Sequence, residues 1–96
     1  MTDPLPDNTL PEGLSFVRRT ASFTAETVPT GLLKDHSTKG DTWGLIKVEA
    51  GELTYRIAAT GESRRIQSGD QTVIEPALLH SVSLSPDCIF HVEFWR

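Results

Sequence analysis

The stretch Gly69-Asp-Gln-Thr-Val-Ile-Glu-Pro76-Ala-Leu-Leu-His80 combines a Gly-Asp turn, a short β-branched run, a proline bend and a histidine. A run of this kind between turn residues is typical of a β-strand, and the proline ends it because its nitrogen cannot donate to a sheet. The order therefore predicts a strand followed by a bend that carries the imidazole of His80 to the mouth of a small β-barrel.

The rest of the chain has the same strand-like period. Other runs rich in alternating apolar residues begin at Leu14, Trp43, Leu53, Ser81 and Ile89. Glycine or proline turns separate them, as in Ala50-Gly-Glu and Ser85-Pro-Asp. No stretch repeats its apolar residues at helical spacing over three turns. The pattern predicts an all-β fold, either a sandwich or a barrel.

The length of 96 residues suits a single domain with one modest core. Residues 1–11 hold three of the six prolines and few apolar side chains. We therefore expect a flexible N-terminal arm over residues 1–11 and a β-barrel domain over residues 12–96.

The charge distribution argues against nucleic acid and membrane partners. The net charge is −4, of which Asp3, Asp7 and Glu12 contribute three. The doublets Arg18-Arg19 and Arg64-Arg65 are too short to neutralise several phosphates, so we interpret both as solvated surface. The expected partner is a small molecule or an oxyanion.

Cysteine content and the N-terminus indicate a cytoplasmic protein. Cys88 is the only cysteine, which excludes an internal disulfide and a cysteine-based zinc site. The first residues are polar and contain prolines, without the basic and apolar regions of a signal peptide. No run approaches the roughly 18 apolar residues of a membrane-spanning helix.

The last run leaves two orientations open. Phe90, Val92 and Phe94 alternate with His91 and Glu93. Either the three apolar residues fill the core and the polar pair faces solvent, or the polar pair points into a wet pocket and the apolar residues pack outward.

Four side chains in separate runs are candidate metal ligands: His36, His80, His91 and Glu93. Imidazole and carboxylate groups bind zinc, iron, manganese and nickel, and three of them with open water positions make a reactive site. Other roles remain open, since His80 can cap the bend, His36 can be a loop residue and His91 can be a surface strand residue. Their spacing alone does not predict that they converge.

Several landmarks occur in an order that resembles a known family. They are His36-Ser-Thr-Lys39, Thr42-Trp43-Gly44, Gly51-Glu-Leu-Thr-Tyr55, Glu75-Pro76, His80 and Glu93-Phe94. This order is similar to that of a small cupin family associated with tellurite resistance. The family occurs as a free-standing domain and at the N-terminus of some tellurite-resistance methyltransferases. The resemblance spans residues 11–96.

The resemblance implies a double-stranded β-helix, or jelly-roll barrel, with a pocket at one end and a homodimer built from outer strands. His36 would match the leading histidine of the first cupin metal motif, and His80 the histidine of the second. Thr38 and Gly44 stand near positions where cupins carry a further histidine and a glutamate. A third ligand would therefore come from His91 or Glu93.

Lys39 and Trp43 complete the predicted pocket. A lysine beside two histidines would make its mouth cationic and suited to a small oxyanion or carboxylate. The alternative for Lys39 is a solvated loop position. Trp43 could contact the ligand or anchor the core or an interface.

These features lead to three hypotheses. The first is a divalent-metal cupin linked to the response to tellurite, another oxyanion or another toxic compound, with Glu93 as the base if it is an enzyme. The second is a non-catalytic module that binds or senses a small anion. The third is a structural dimerisation domain.

Overall fold

The computed structural model describes residues 10–34, 36–38 and 40–96. Within these residues, eight strands follow one another: β1 (Phe16–Arg19), β2 (Phe23–Thr24), β3 (Trp43–Ala50), β4 (Glu52–Ile57), β5 (Ser63–Gln67), β6 (Gln71–Ile74), β7 (His80–Leu84) and β8 (Ile89–Trp95). A short 3₁₀ helix, Thr30–Leu33, lies between β2 and β3. Most of the predicted arm, residues 1–9, lies outside the described residues, so the arm stays a prediction.

The strands form two antiparallel sheets. The larger has the order β1-β8-β3-β6, and β2 pairs with β8 as well. The smaller has the order β5-β4-β7. The all-β prediction is confirmed. A barrel closed on itself stays a prediction, because the described strands form two separate sheets.

The core fills the space between the two sheets. In the larger sheet, Ile46 lies opposite Val92 and Val48 opposite Phe90, and all four side chains are buried. The smaller sheet contributes Leu53, Tyr55, Ile57, Ile66 and Val82 to the same cluster. Burying one such aliphatic or aromatic side chain stabilises the fold by about 1.5–3 kcal/mol. The period-two alternation in the sequence is therefore the pattern of one buried face on each sheet.

Strand β5 was not predicted, and it corrects the interpretation of Arg64-Arg65 as a solvated pair. Arg65 is exposed, but Arg64 is half-buried and donates from Nη1 to Thr72 Oγ1 at 3.1 Å. Its guanidinium carbon lies 5.7 Å from the centre of the Tyr55 ring. One arginine of the doublet thus points between the sheets.

No helix within the described part of the chain has the length and apolar character needed to cross a membrane.

Candidate functional site

His36 and His80 meet, as the family resemblance implies. The His36 N–H donates to the His80 carbonyl at 2.9 Å, and the His80 N–H donates to the His36 carbonyl at 2.8 Å. These two bonds join the loop before β3 to the start of β7. The ring centres are 4.2 Å apart and the ring planes lie at 58°.

Both imidazoles are oriented by backbone carbonyls. His36 Nδ1 lies 3.0 Å from the Lys34 carbonyl oxygen, and His80 Nδ1 lies 2.8 Å from the Leu78 carbonyl oxygen. Since a carbonyl can only accept, each Nδ1 carries the hydrogen. In the neutral ring the lone pair is then on Nε2, which is the arrangement found in metal-binding histidines.

The bend before His80 has an unusual backbone. Ala77, directly after Pro76, has a φ of 60°, in the left-handed region that glycine normally occupies. A non-glycine residue there costs about 1–2 kcal/mol. This bend places the Leu78 carbonyl where it meets His80 Nδ1, so the strained turn and the ring orientation belong to one local structure.

A cavity of about 580 Å³ opens beside the two histidines. Every strand of the larger sheet contributes to its lining, the β7 edge of the smaller sheet lies opposite, and the 3₁₀ helix adds Leu32 to its wall. The inner wall is made of buried apolar side chains: Ile46, Ile74, Val82, Phe90 and Val92. The cavity is large enough for an organic ligand.

The polar lining of this cavity is cationic. Arg18 and Arg96 both line it, together with His36 and His80. The Arg18 guanidinium carbon lies 5.0 Å from the centre of the Phe94 ring, a cation–π contact that holds it at the wall. No aspartate or glutamate is among the described residues that line the cavity.

His91 and Glu93 lie on the opposite face of the larger sheet. In the pairing of β3 with β8, Lys47 stands opposite His91 and Leu45 opposite Glu93. These pairs alternate with the core-facing ones. The register therefore places Phe90 and Val92 in the core, as in the first orientation of the last run, but the expected solvent exposure of the polar pair is wrong for His91, which is buried on the outer face.

The polar residues on this outer face are bound to one another. His91 Nδ1 lies 2.6 Å from Glu49 Oε2, and the Ser22 hydroxyl donates to the same oxygen at 2.6 Å. The Ser22 hydrogen bond, followed by that of His91, lowers the pKa of Glu49 below its usual value. Glu93 contacts Lys47 Nζ at 3.4 Å and accepts from Trp95 Nε1 at 3.1 Å.

The predicted metal ligands therefore divide into two pairs. His36 and His80 share the cavity, while His91 and Glu93 belong to the outer face of the larger sheet. Among the described residues no three His, Cys, Asp or Glu side chains cluster closely enough to hold a metal ion. Metal binding stays a prediction, and of the four predicted ligands His36 and His80 line the cavity whereas His91 and Glu93 do not.

The two predicted ligand-binding residues have different outcomes. Lys39 lies outside the described residues, and its role stays a prediction. Trp43 stands opposite Trp95 in the register of β3 and β8, on the face that carries Leu45 and Lys47. It does not line the cavity, and an anchoring role agrees better with this position.

Sequence reasoning missed Arg18, Arg96 and Tyr55. Arg18 carried a weak signal, since it follows Val17 in an apolar run, but the register shift in β1 hid the face it takes. The Tyr55 ring centre lies 5.4 Å from that of His80. Burial raises the pKa of Tyr55 to about 12, a rise that Arg64 opposes and Glu75 reinforces.

Two packed antiparallel sheets with a histidine-lined cavity at one side make up this domain. The fold is similar to that of a cupin-like protein from Thermotoga maritima, with a TM-score of 0.52 and 17% identity over 97% of this chain and 80% of that one. A protein from E. coli is similar with a TM-score of 0.86 and 21% identity, covering 92% of this chain and 95% of that one. At these identities the likeness establishes the fold alone.

The family follows from a sequence comparison. The model of the TehB-like domain matches residues 18–92, so the chain belongs to this family, the tellurite-resistance-associated family that its landmarks resemble. TehB from Haemophilus influenzae has a TM-score of 0.77 and 22% identity, and the match covers 88% of this chain but 32% of that one. No curated protein sequence matches the chain.

Proposed function

We propose that this domain binds a small anionic compound in the cavity beside His36 and His80, and that it serves in the response to tellurite, another oxyanion or another toxic compound. The observation that carries the proposal is the charge of the cavity lining. Two guanidinium groups and two imidazoles line it, and none of its described lining residues is acidic. Such a site attracts an anion.

Arg18 and the histidines supply different hydrogen bonds. A guanidinium presents a planar fork of donors that matches a carboxylate or another oxyanion. An imidazole whose Nδ1–H is held by a carbonyl can accept at Nε2, or donate from it once protonated. Together they can bind an anion that also carries a hydroxyl or an acidic proton.

Replacing Arg18 with glutamine is expected to weaken anion binding about tenfold, since a hydrogen bond to a charged group contributes about 1.5 kcal/mol or more. The measurement is calorimetric titration with tellurite, selenite, nitrite and small carboxylates. Arg56→Gln is the matched control, because Arg56 is exposed on β4 and does not line the cavity. Lys39→Gln tests the predicted lysine in the same way. The proposal is wrong if no anion binds or if the Arg18 and Arg56 variants bind equally.

A divalent metal is a second candidate occupant, favoured by the Nδ1–H anchoring of both histidines. The pair fits a metal as far as ligand type and tautomer go, and His36 and His80 would hold it. A metal in this position would supply a Lewis acid to an oxygen-containing ligand. The two histidines would orient it, and the apolar wall would restrict access of water.

Metal binding is tested with asparagine variants of the histidines. Asparagine keeps an N–H donor for the backbone carbonyl but removes the Nε2 lone pair, so His36→Asn and His80→Asn should each lose bound zinc, manganese, iron or nickel. His91→Asn should keep it, because His91 lies on the other face of the larger sheet. Metal content is measured on tag-free protein after reconstitution and dialysis. Absence of metal from the wild type, or its retention in the His36 and His80 variants, would contradict this role.

A further inference from the structure

The apolar residues that line the cavity are mostly buried, whereas its two arginines are exposed. The inner wall consists of side chains that are almost completely buried, with Phe90 at 0% and Ile46 at 1% exposure. Phe23, half-buried, packs against Phe90 with ring centres 5.6 Å apart. Arg18 and Arg96 are exposed. A ligand that occupies the whole cavity thus meets mainly hydrocarbon, with the equally buried His80, on the inside and positive charge at the exposed arginines.

The cavity volume is much larger than a bare inorganic oxyanion. At about 30 Å³ for each water-sized group, a volume of about 580 Å³ accommodates up to roughly twenty non-hydrogen atoms. An ion such as tellurite replaces only a few water molecules. It binds strongly where hydrogen-bond donors surround it, and the inner wall offers hydrocarbon instead.

The two arginines lie on the same side of the cavity. Arg18 is held over the Phe94 ring, and the chain at Arg96 is fixed by two backbone hydrogen bonds to Ser15, of 3.0 and 2.9 Å. Both arginines therefore approach from the β1 and β8 side. This one-sided arrangement suits a carboxylate at the end of a molecule.

Resting on the anion-binding function proposed above, we infer that the ligand is an organic carboxylate with an apolar body, rather than an inorganic oxyanion. The carboxylate lies at Arg18 and Arg96, and the body lies against Phe23, Phe90 and Leu32. Affinity then comes from two separable sources, the charge at the rim and the apolar area buried inside.

Four probes separate these sources: hydrocinnamate, octanoate, acetate and tellurite, with hydrocinnamamide as the neutral analogue of the first. Calorimetric titration of the full chain is expected to show at least one of the two longer carboxylates binding tenfold or more tightly than acetate and tellurite. Hydrocinnamamide should bind tenfold or more weakly than hydrocinnamate.

Substitutions at the wall provide a matched pair. Leu32 lines the cavity, whereas its neighbour Leu33 is 45% exposed and does not. Leu32→Ser should weaken binding of the longer carboxylates several-fold and leave acetate unchanged, while Leu33→Ser should change neither. Both leucines lie on the short 3₁₀ helix outside the sheets, and neither is fully buried.

The outcomes distinguish this inference from the function on which it rests. Equal affinity for tellurite, acetate and the longer carboxylates would overturn the inference and leave anion binding intact, as would equal effects of Leu32→Ser and Leu33→Ser. Equal binding of hydrocinnamate and its amide would overturn anion binding itself. Absence of binding by every probe would overturn both.

Discussion

Replacing Gly51 with alanine is expected to lower the free energy of unfolding by about 3 kcal/mol, through left-handed strain and a steric clash. Gly51 joins β3 to β4 with a φ of 68°. A Cβ atom there would lie 2.7 Å from the Cys88 Cα and 2.8 Å from the Cys88 nitrogen. These are backbone atoms at the start of β8, so the clash cannot be relieved by turning a side chain.

Gly61→Ala is the control for this prediction. Gly61 has a similar φ of 73°, but a Cβ atom there would meet nothing within 4 Å. Gly61→Ala should therefore lower the free energy of unfolding by only about 1 kcal/mol, the cost of the left-handed backbone strain. Urea denaturation of both variants measures the difference. If Gly51→Ala loses no more stability than Gly61→Ala, the close approach between the β3–β4 turn and Cys88 is not a rigid feature of the fold.

Replacing Tyr55 with phenylalanine is expected to remove a loss of stability that the wild type suffers at high pH. Burial raises the pKa of Tyr55 from 10.0 to about 12, so the folded protein favours the neutral phenol. The resulting stabilisation is complete below about pH 10 and is lost as the pH rises through 12. The loss of stability amounts to about 1 kcal/mol by pH 11 and about 3 kcal/mol well above pH 12.

The Tyr55→Phe substitution also has an expected effect on stability at neutral pH. Tyr55 is 1% exposed, and its hydroxyl has no hydrogen-bond partner within the described part of the chain. Removing an unpaired buried hydroxyl should leave stability unchanged or raise it by about 1 kcal/mol. Denaturation at several pH values tests both effects against the wild type.

A direct titration completes the test. Tyr55 is the only tyrosine of the chain, so the ultraviolet absorbance of tyrosinate reports it alone. If the pH midpoint of this absorbance change lies near the usual pKa of tyrosine in folded proteins, the deep burial of this ring is contradicted.

The fold was predictable wherever one face of a strand is apolar. Ile46 and Val48 in β3, and Leu53 and Tyr55 in β4, give the alternation that predicts strands, and both strands are present. β5 was not predicted from the sequence because Ile66 is its only buried residue and arginines precede it. A strand at the edge of a small sheet needs few apolar residues, so composition alone does not reveal it.

The site was predictable in part. The spacing of His36 and His80 does not predict that they meet, but the family resemblance implies it, and they do. The face of His91 was not predictable, because both faces of the last run carry apolar residues. The choice depends on the register with β3, where Gly44 stands opposite Phe94 and a Cβ on Gly44 would lie 2.9 Å from Ile74 Cδ1. Contacts between distant strands of this kind leave no local pattern.

The anchoring of the two imidazoles has a consequence for how this pocket can change. Each ring is held by the carbonyl two residues before it, and the two rings are spaced by backbone hydrogen bonds between His36 and His80. Apart from the two imidazoles themselves, no side chain of the cavity wall takes part in these bonds. Substitutions at wall residues such as Leu32 or Phe23 can therefore alter the size and shape of the accepted ligand while the imidazole pair keeps its geometry. A single histidine framework can in this way be combined with walls that accept different compounds.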